Sequence, residues 1–321
     1  MLNKRDTESV TSSRSAAARL LGHLGGMLLI VWGAATAGFL ALKLIPGDPV
    51  EVMLGVQAQV SEETKDAIRR DWGLDQPVLV QYAQYLGRLV RGDLGQSYQL
   101  RQPVAETIAS QAGPTLALTG LAIGFALVLA LIAALLVRGR RWNSVVGLLE
   151  LVLVSSPTFW IGLVLIAVFG FGLHWFPVTS TKGFAALVLP AITLALPIAG
   201  ILSQVLRQGL EAAATQPFAL TARARGIGYA RLIGRHTLRH AAGDGITLSG
   251  YILGSLLGGA VLVETVFGRA GLGRVTLRAV IDRDLPVVLG IIVVVAVLFA
   301  IINLFVDLAH EALDPRLRVA S

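Results

Sequence analysis

Six predominantly apolar stretches divide the chain, at 24–42, 114–137, 145–171, 184–206, 245–266 and 286–306. Each is close to or longer than the ~20 residues that a bilayer-crossing helix needs. Between the first two stretches the pattern changes. Ser61 is placed to cap a helix, with Glu62 and Glu63 in its first turn, Arg69 and Arg70 in its last, and Gly73 ending it. A second helix is predicted after Pro77, with Leu79, Tyr82, Leu86 and Leu89 at helical spacing and a stop at Gly92. Segment 207–244 is polar. There Thr215 can cap a short helix entered through Pro217 and ended by Gly226, giving Gln216–Arg225 a length of roughly 15 Å. A short polar helix between two membrane spans gains little from lipid and needs another protein surface. Beyond it Arg231, Arg235 and Arg239 recur every four residues; headgroup contact and partner contact both suit that stripe.

Composition excludes the soluble alternatives. The chain has 321 residues, of which 55% are hydrophobic and only 15% charged, against about 25% charged in soluble domains. Cysteine is absent, so disulfides, thiolate metal sites and cysteine nucleophiles are excluded. The only lysines are Lys4, Lys43, Lys65 and Lys182, and none follows a glycine, which excludes a Gly-Lys-Ser/Thr phosphate loop. Any ATP that drives this protein must be hydrolysed by another chain. The formal charge of +7 is unevenly placed. Segments 1–23, 138–143, 207–244 and 308–321 carry 15 basic residues in 81 positions, against 12 in 102 for the opposite segments. The positive-inside rule therefore places both termini in the cytoplasm and segment 43–113 outside. Single cysteines at Ser61 and Ser97 are then expected to react with an impermeant reagent from outside, and one at Thr215 is not. The apolar stretch at 24–42 exceeds the ~7–15 residues of a secretory signal, so the first helix is expected to be retained. The polar leader 1–18 is expected to be disordered.

Polar groups inside the spans are few. Glu150 and Glu264 stand in or at the ends of spans, where bare carboxylates are costly; structural pairing is favoured for Glu264 and ion coupling is the alternative. Gly250, Gly254 and Gly258 repeat every four residues, a spacing that lets helices approach closely within this chain or across an interface with another subunit. Pro157, Pro190 and Pro197 are expected as tolerated kinks. The five histidines are scattered; only His236 and His240 form a helical pair, and no metal site is expected. No catalytic triad or paired-carboxylate hydrolase site is present in the sequence pattern.

The loop after the fourth stretch carries a resemblance. Thr221-Ala222-Arg223-Ala224-Arg225-Gly226, with His236-Thr237-Leu238-Arg239 following, resembles the EAA loop of ABC importer permeases. Leu220 stands where that family's peptide branch commonly has Arg, and His240 where it has Asn. Further motifs occur in the family's order: Ile45-Pro46-Gly47-Asp48-Pro49, Gly73-Leu74-Asp75-Gln76-Pro77, Arg91-Gly92-Asp93-Leu94-Gly95-Gln96-Ser97 and Ser156-Pro157-Thr158-Phe159. Glu264-Thr265-Val266-Phe267-Gly268, Gly271-Leu272-Gly273, Arg283-Asp284-Leu285-Pro286 and Asp314-Pro315-Arg316-Leu317-Arg318 complete it. The chain thus resembles the B-type inner-membrane permease of dipeptide/oligopeptide ABC importers, the binding-protein-dependent transport family, whose relatives include nickel permeases.

That resemblance implies an all-α polytopic membrane protein: six transmembrane helices of the type I ABC importer permease kind, with a small external helical subdomain after the first. The expected division is a cytoplasmic tail at 1–18, the first helix at 19–43, the external subdomain at 44–113, a permease core at 114–306 containing the coupling loop 207–244, and a cytoplasmic tail at 307–321. By resemblance, Pro217, Phe218, Leu220, Thr221, Ala222, Arg223, Ala224, Arg225 and Gly226 couple to an ATPase subunit. Pro46, Gly47, Asp48, Pro49, Gly92, Asp93 and Gly95 belong to external motifs. The implied partners are a second homologous permease, two ATPase subunits or domains, an external solute-binding protein, a peptide substrate and the bilayer of a bacterial inner membrane; nucleic acid is not among them. The chain itself is expected to be non-catalytic and to bind no cofactor, with ATP and Mg2+ on the ATPase subunits. A permease for nickel or another small solute is the nearer alternative, and an ion-coupled secondary transporter or a non-transporting membrane scaffold the more distant ones.

Overall fold

The computed structural model describes residues 4–44, 48–54, 60–71, 73–136, 140–178, 183–214, 216 and 248–313. Among these the chain is helical, without a strand; Gln96 and Pro103 form a lone antiparallel bridge. In chain order the elements are α1 (Lys4–Leu44), α2 (Pro49–Leu54), α3 (Glu62–Asp71), α4 (Val78–Val90), α5 (Val104–Leu136), α6 (Arg140–Ser155) and α7 (Thr158–Leu165). A π-helical turn (Ile166–Gly172) follows, then α8 (Ala185–Ala214), α9 (Ser249–Val266), α10 (Leu272–Ile281) and α11 (Leu285–Leu313). Among the described residues four apolar segments are long enough to cross a bilayer: Leu21–Ala41, Val104–Ala134, Ala185–Ala212 and Leu285–Val306. The bent pair α6–α7 supplies a fifth if taken as one span, and α9 carries a shorter apolar run, Gly254–Val266.

Chain contacts divide the protein into two units. The first holds residues 1–108 and 279–307, the second 109–278 and 308–321. In the first unit the short helices after α1 follow the sequence signals. Ser61 accepts at its carbonyl from the N–H groups of Thr64 and Lys65, and Gly73 leaves α3 with φ +62°. Pro77 precedes α4, and Gly92 ends the turn after it with φ +76°. Tyr85 is buried with Ala35 and Phe39 of α1 and Val293 of α11, so these helices share one small core. Two expectations change here. The backbone is helical from Lys4, so the leader expected to be disordered continues α1; Ala16, Ala17 and Ala18 leading into Leu20 and Leu21 are good helix formers. Ser97 is only 2% exposed, so a cysteine there is shielded rather than open to an impermeant reagent, whereas Ser61 is exposed.

In the second unit α8 is central and packs against α6, α7 and α9. An alanine row on α5, Ala122, Ala126, Ala130 and Ala134, lies in one core cluster with Leu194, Ile198, Leu202 and Leu206 of α8 and Leu256 and Val263 of α9. Small residues four apart allow this close approach. The stretch 145–171, expected as one span, is not a single helix: α6 and the α7–π segment meet at 107°. Pro157 lacks the N–H that would continue the ladder and takes φ −59°, ψ 132°. Both the N–H and the hydroxyl of Ser156 donate to the Val152 carbonyl, at 3.0 and 2.7 Å, which closes α6. Pro190 and Pro197, by contrast, sit inside a continuous α8.

Candidate functional site

Pro217, Phe218, Leu220, Thr221, Ala222, Arg223, Ala224, Arg225 and Gly226 lie outside the described residues, as do Arg231, Arg235 and Arg239. The approach to them is described. The last turns of α8 end at Ala214 and carry Ser203, Arg207 and Glu211 at four-residue spacing on one face. Facing them on α6 are Asn143 and Glu150. Glu150 is 3% exposed and accepts hydrogen bonds from the Ser203 hydroxyl and from Arg207, with which it forms an ion pair. Arg207 also donates to the Asn143 amide oxygen at 3.4 Å, and that amide's nitrogen donates to Glu211 at 3.5 Å. Two residues whose bare charges would be costly in a bilayer are thus matched to each other. Above the pair the helices come close: a Cβ on Gly200 would stand 3.0 Å from Val154 Cγ2 and 3.3 Å from the Glu150 carbonyl oxygen. The polar ladder and the close crossing tie α6 to the end of α8 that enters the loop.

A second buried carboxylate organises the turn after α9. Glu264, 1% exposed, accepts from the Thr115 hydroxyl at 2.6 Å and from the backbone N–H of Arg274 at 3.1 Å. Thr115 in turn accepts from the Leu272 N–H at 2.8 Å. The carboxylate therefore sits at the first turn of α10, where unpaired N–H groups and the helix dipole favour a negative charge. The glycines of the motif are explained by the same group. A Cβ on Gly271 would fall on the Glu264 carboxylate, and one on Gly273 would meet the Val261 backbone at 2.5 Å. Structural pairing of Glu264 is what the geometry gives, and α10 itself was hidden in sequence by its glycine-rich entry.

In the first unit, Asp284 joins two motifs separated by almost two hundred residues. It is 2% exposed and accepts from the Ser97 hydroxyl and from the N–H groups of Tyr98 and Gln99, at 3.1 and 3.3 Å. The turn that presents those donors is shaped by Gly92, Asp93 and Gly95. Asp93 accepts from the Gly95 N–H at 2.9 Å, and Gly95 has φ +83° with its Cα facing Pro286. Burial beside Asp284 pushes the Tyr98 hydroxyl up to about 12 despite the opposing charge of Arg88. Asp48 accepts from the Val50 N–H at 2.9 Å at the start of α2 and pairs with Arg69 of α3. Burial raises its pKa, but the hydrogen bonds from Arg69 and Val50 and the Arg69 charge outweigh it and hold the carboxyl below its ordinary value. Pro49 opens α2; Pro46 and Gly47 lie outside the described residues.

The glycine repeat of α9 behaves differently from the alanine row of α5. A Cβ at Gly254 or Gly258 would meet nothing within 4 Å, whereas one at Gly259 would stand 2.7 Å from Leu194 of α8. The surroundings of Gly250 lie outside the description. Among the described residues close packing thus uses Gly259 and the α5 alanines, which sequence spacing alone did not single out, and leaves Gly254 and Gly258 uncovered.

Known proteins align with this chain along almost its whole length. Residues 126–319 match the family model described as binding-protein-dependent transport system inner membrane component, and residues 17–119 match the model of the N-terminal part of such membrane components. A protein of Brucella abortus (strain 2308) named "Putative peptide transport system permease protein" is 37% identical over 304 residues, 91% of this chain and 95% of the relative. The glutathione transport system permease protein of Salmonella choleraesuis (strain SC-B67) is 34% identical over 311 residues, 94% of this chain and 97% of its own.

Proposed function

The chain belongs to the inner membrane components of binding-protein-dependent transport systems, and from that premise we propose that it forms half of the translocation pathway of an ATP-driven importer for di- or oligopeptides. It is an integral inner-membrane transport permease subunit that works with ATPase and binding-protein partners. The observation that carries the peptide reading is the end-to-end alignment with permeases named for peptide and for glutathione transport. In this reading a second homologous permease completes the pathway and two ATPase subunits or domains carry ATP and Mg2+. Both termini are cytoplasmic and the segment after α1 is external. Gly254 and Gly258, which no described residue covers, face the second permease.

The coupling loop supplies the mechanism. Closure of the ATPase pair must move a rigid element joined directly to pathway helices. Gln216–Gly226 follows α8 immediately, and α8 is tied to α6 by the Glu150–Arg207 pair. A push on the loop therefore reaches two pathway helices at once. Ion coupling is disfavoured by the same geometry: Glu150 is engaged by Arg207 and Ser203, and Glu264 by Thr115 and the start of α10.

Gly226→Val tests the loop. A branched residue where the chain must leave a helix in a left-handed or tight turn costs on the order of 1 kcal/mol or more. The variant is expected to insert and pair normally but to lose co-purifying ATPase subunits and uptake, while Arg231→Ala keeps most of both. Retention of both by Gly226→Val would remove the coupling role from this loop.

A further inference from the structure

We propose that α4 is a membrane-interfacial helix whose outward apolar stripe is covered by the acyl chains of the leaflet next to the C-terminal end of α1, so that the segment after α1 is partly embedded. The helix has three faces. Tyr82, Tyr85, Leu86 and Leu89 turn inward against α1 and α11. Gln81, Gln84, Arg88 and Arg91 recur at intervals of three and four residues and form a polar edge. Leu79, Ala83 and Val90 form a third stripe beside the packed one, and no described residue covers it: Leu79 is 80% and Val90 90% exposed.

Depth decides what covers that stripe. The Tyr82 hydroxyl lies 2.6 Å from the Thr36 hydroxyl, and the Phe39 ring stands 5.3 Å from Tyr82 and 5.7 Å from Tyr85. Thr36 lies six residues before Leu42, or about 9 Å below the end of the apolar run at 1.5 Å per residue. On α11, Val293 joins the same core eight residues after Leu285, about 12 Å along that helix. Two spans thus place the inner face of α4 about 9–12 Å inside the ends of their apolar runs, at or just below the 5–10 Å depth at which amphipathic helices lie. At the upper edge Lys43 donates to Gln81 and lies 5.7 Å from the Phe39 ring centroid, and Arg88 and Arg91 follow on the polar edge; such long cationic stems reach back to headgroup phosphates. A water-soluble partner docks above the surface and does not reach below it.

The test needs only the full chain, which has no native cysteine. Single cysteines replacing Leu79, Val90, Gln84 and Ser61 are spin-labelled and the protein is placed in nanodiscs of phosphatidylethanolamine and phosphatidylglycerol. Collision with oxygen, which concentrates in lipid, is compared with collision with a water-soluble nickel chelate. Leu79→Cys and Val90→Cys are expected to favour oxygen, whereas Gln84→Cys and Ser61→Cys favour the chelate. Chelate-dominated collisions at 79 and 90 would show a water-exposed stripe. Immobile labels shielded from both reagents would show a protein cover. Either result overturns the proposal, and neither bears on whether the chain transports peptides.

Discussion

At the scale of single residues, the carboxylates Glu150, Glu264 and Asp284 are each almost fully buried, and each is met by several donors: Arg207 with Ser203, Thr115 with the start of α10, and Ser97 with two backbone N–H groups. Glycines are then required where a carboxylate occupies the space a Cβ would take. Gly271→Ala is expected to destabilise the protein by about 1–3 kcal/mol, as overpacking of a fixed site does. Gly258→Ala, whose new methyl meets no described residue, is expected to keep or slightly raise stability through helix propensity yet to weaken the pairing proposed with a second permease. Thermal unfolding in detergent and co-purification of the two permeases separate the effects. Asp48 adds a pH dependence of definite sign. Its folded pKa is held below the ordinary 3.8, so its stabilisation is complete above that value and lost as pH falls through the lowered one. Asp48→Asn is expected to flatten the acid limb of the Tm profile. The residues involved were visible in sequence, but their partners were not. Glu264 lies 149 positions from Thr115 and Asp284 187 from Ser97, and no periodicity connects such distances.

At the scale of elements, legibility followed local chemistry. The ends of α3 and α4 were readable because Ser61, Gly73, Pro77 and Gly92 act within a turn of themselves. The break at Pro157 was underestimated because a proline alone does not say whether the helix bends or stops. Here Ser156 captures the Val152 carbonyl and it stops, while Pro190 and Pro197 interrupt nothing. The contact between α6 and the end of α8 gives the most direct element-scale prediction. Removing one partner of a buried ion pair costs about 3–5 kcal/mol because the other charge is stranded, whereas removing both can be nearly neutral. Glu150→Gln and Arg207→Met are each expected to reduce the folded yield in the membrane, and the double variant is expected to recover it. Comparable yields for all three would show that the pair does not bind these helices together.

At the scale of the whole molecule, the family, the helical membrane architecture and the transport role were legible because they rest on the order of many short motifs along the chain. Both family models fall on that same ordered stretch. The interleaving of the chain, with α11 sharing a unit with α1 and α4 rather than with α5–α9, was not legible, since hydropathy marks spans without saying which of them touch. The central claim is that this chain moves peptides by harnessing ATP hydrolysed on partner subunits. The most direct measurement is uptake of a labelled peptide, presented on the solute-binding protein, into proteoliposomes holding the assembled complex, with its ATPase subunits facing trapped ATP or facing no nucleotide under an imposed proton or sodium gradient. Accumulation with ATP and none with either gradient alone is the predicted result; accumulation driven by a gradient without ATP would contradict it.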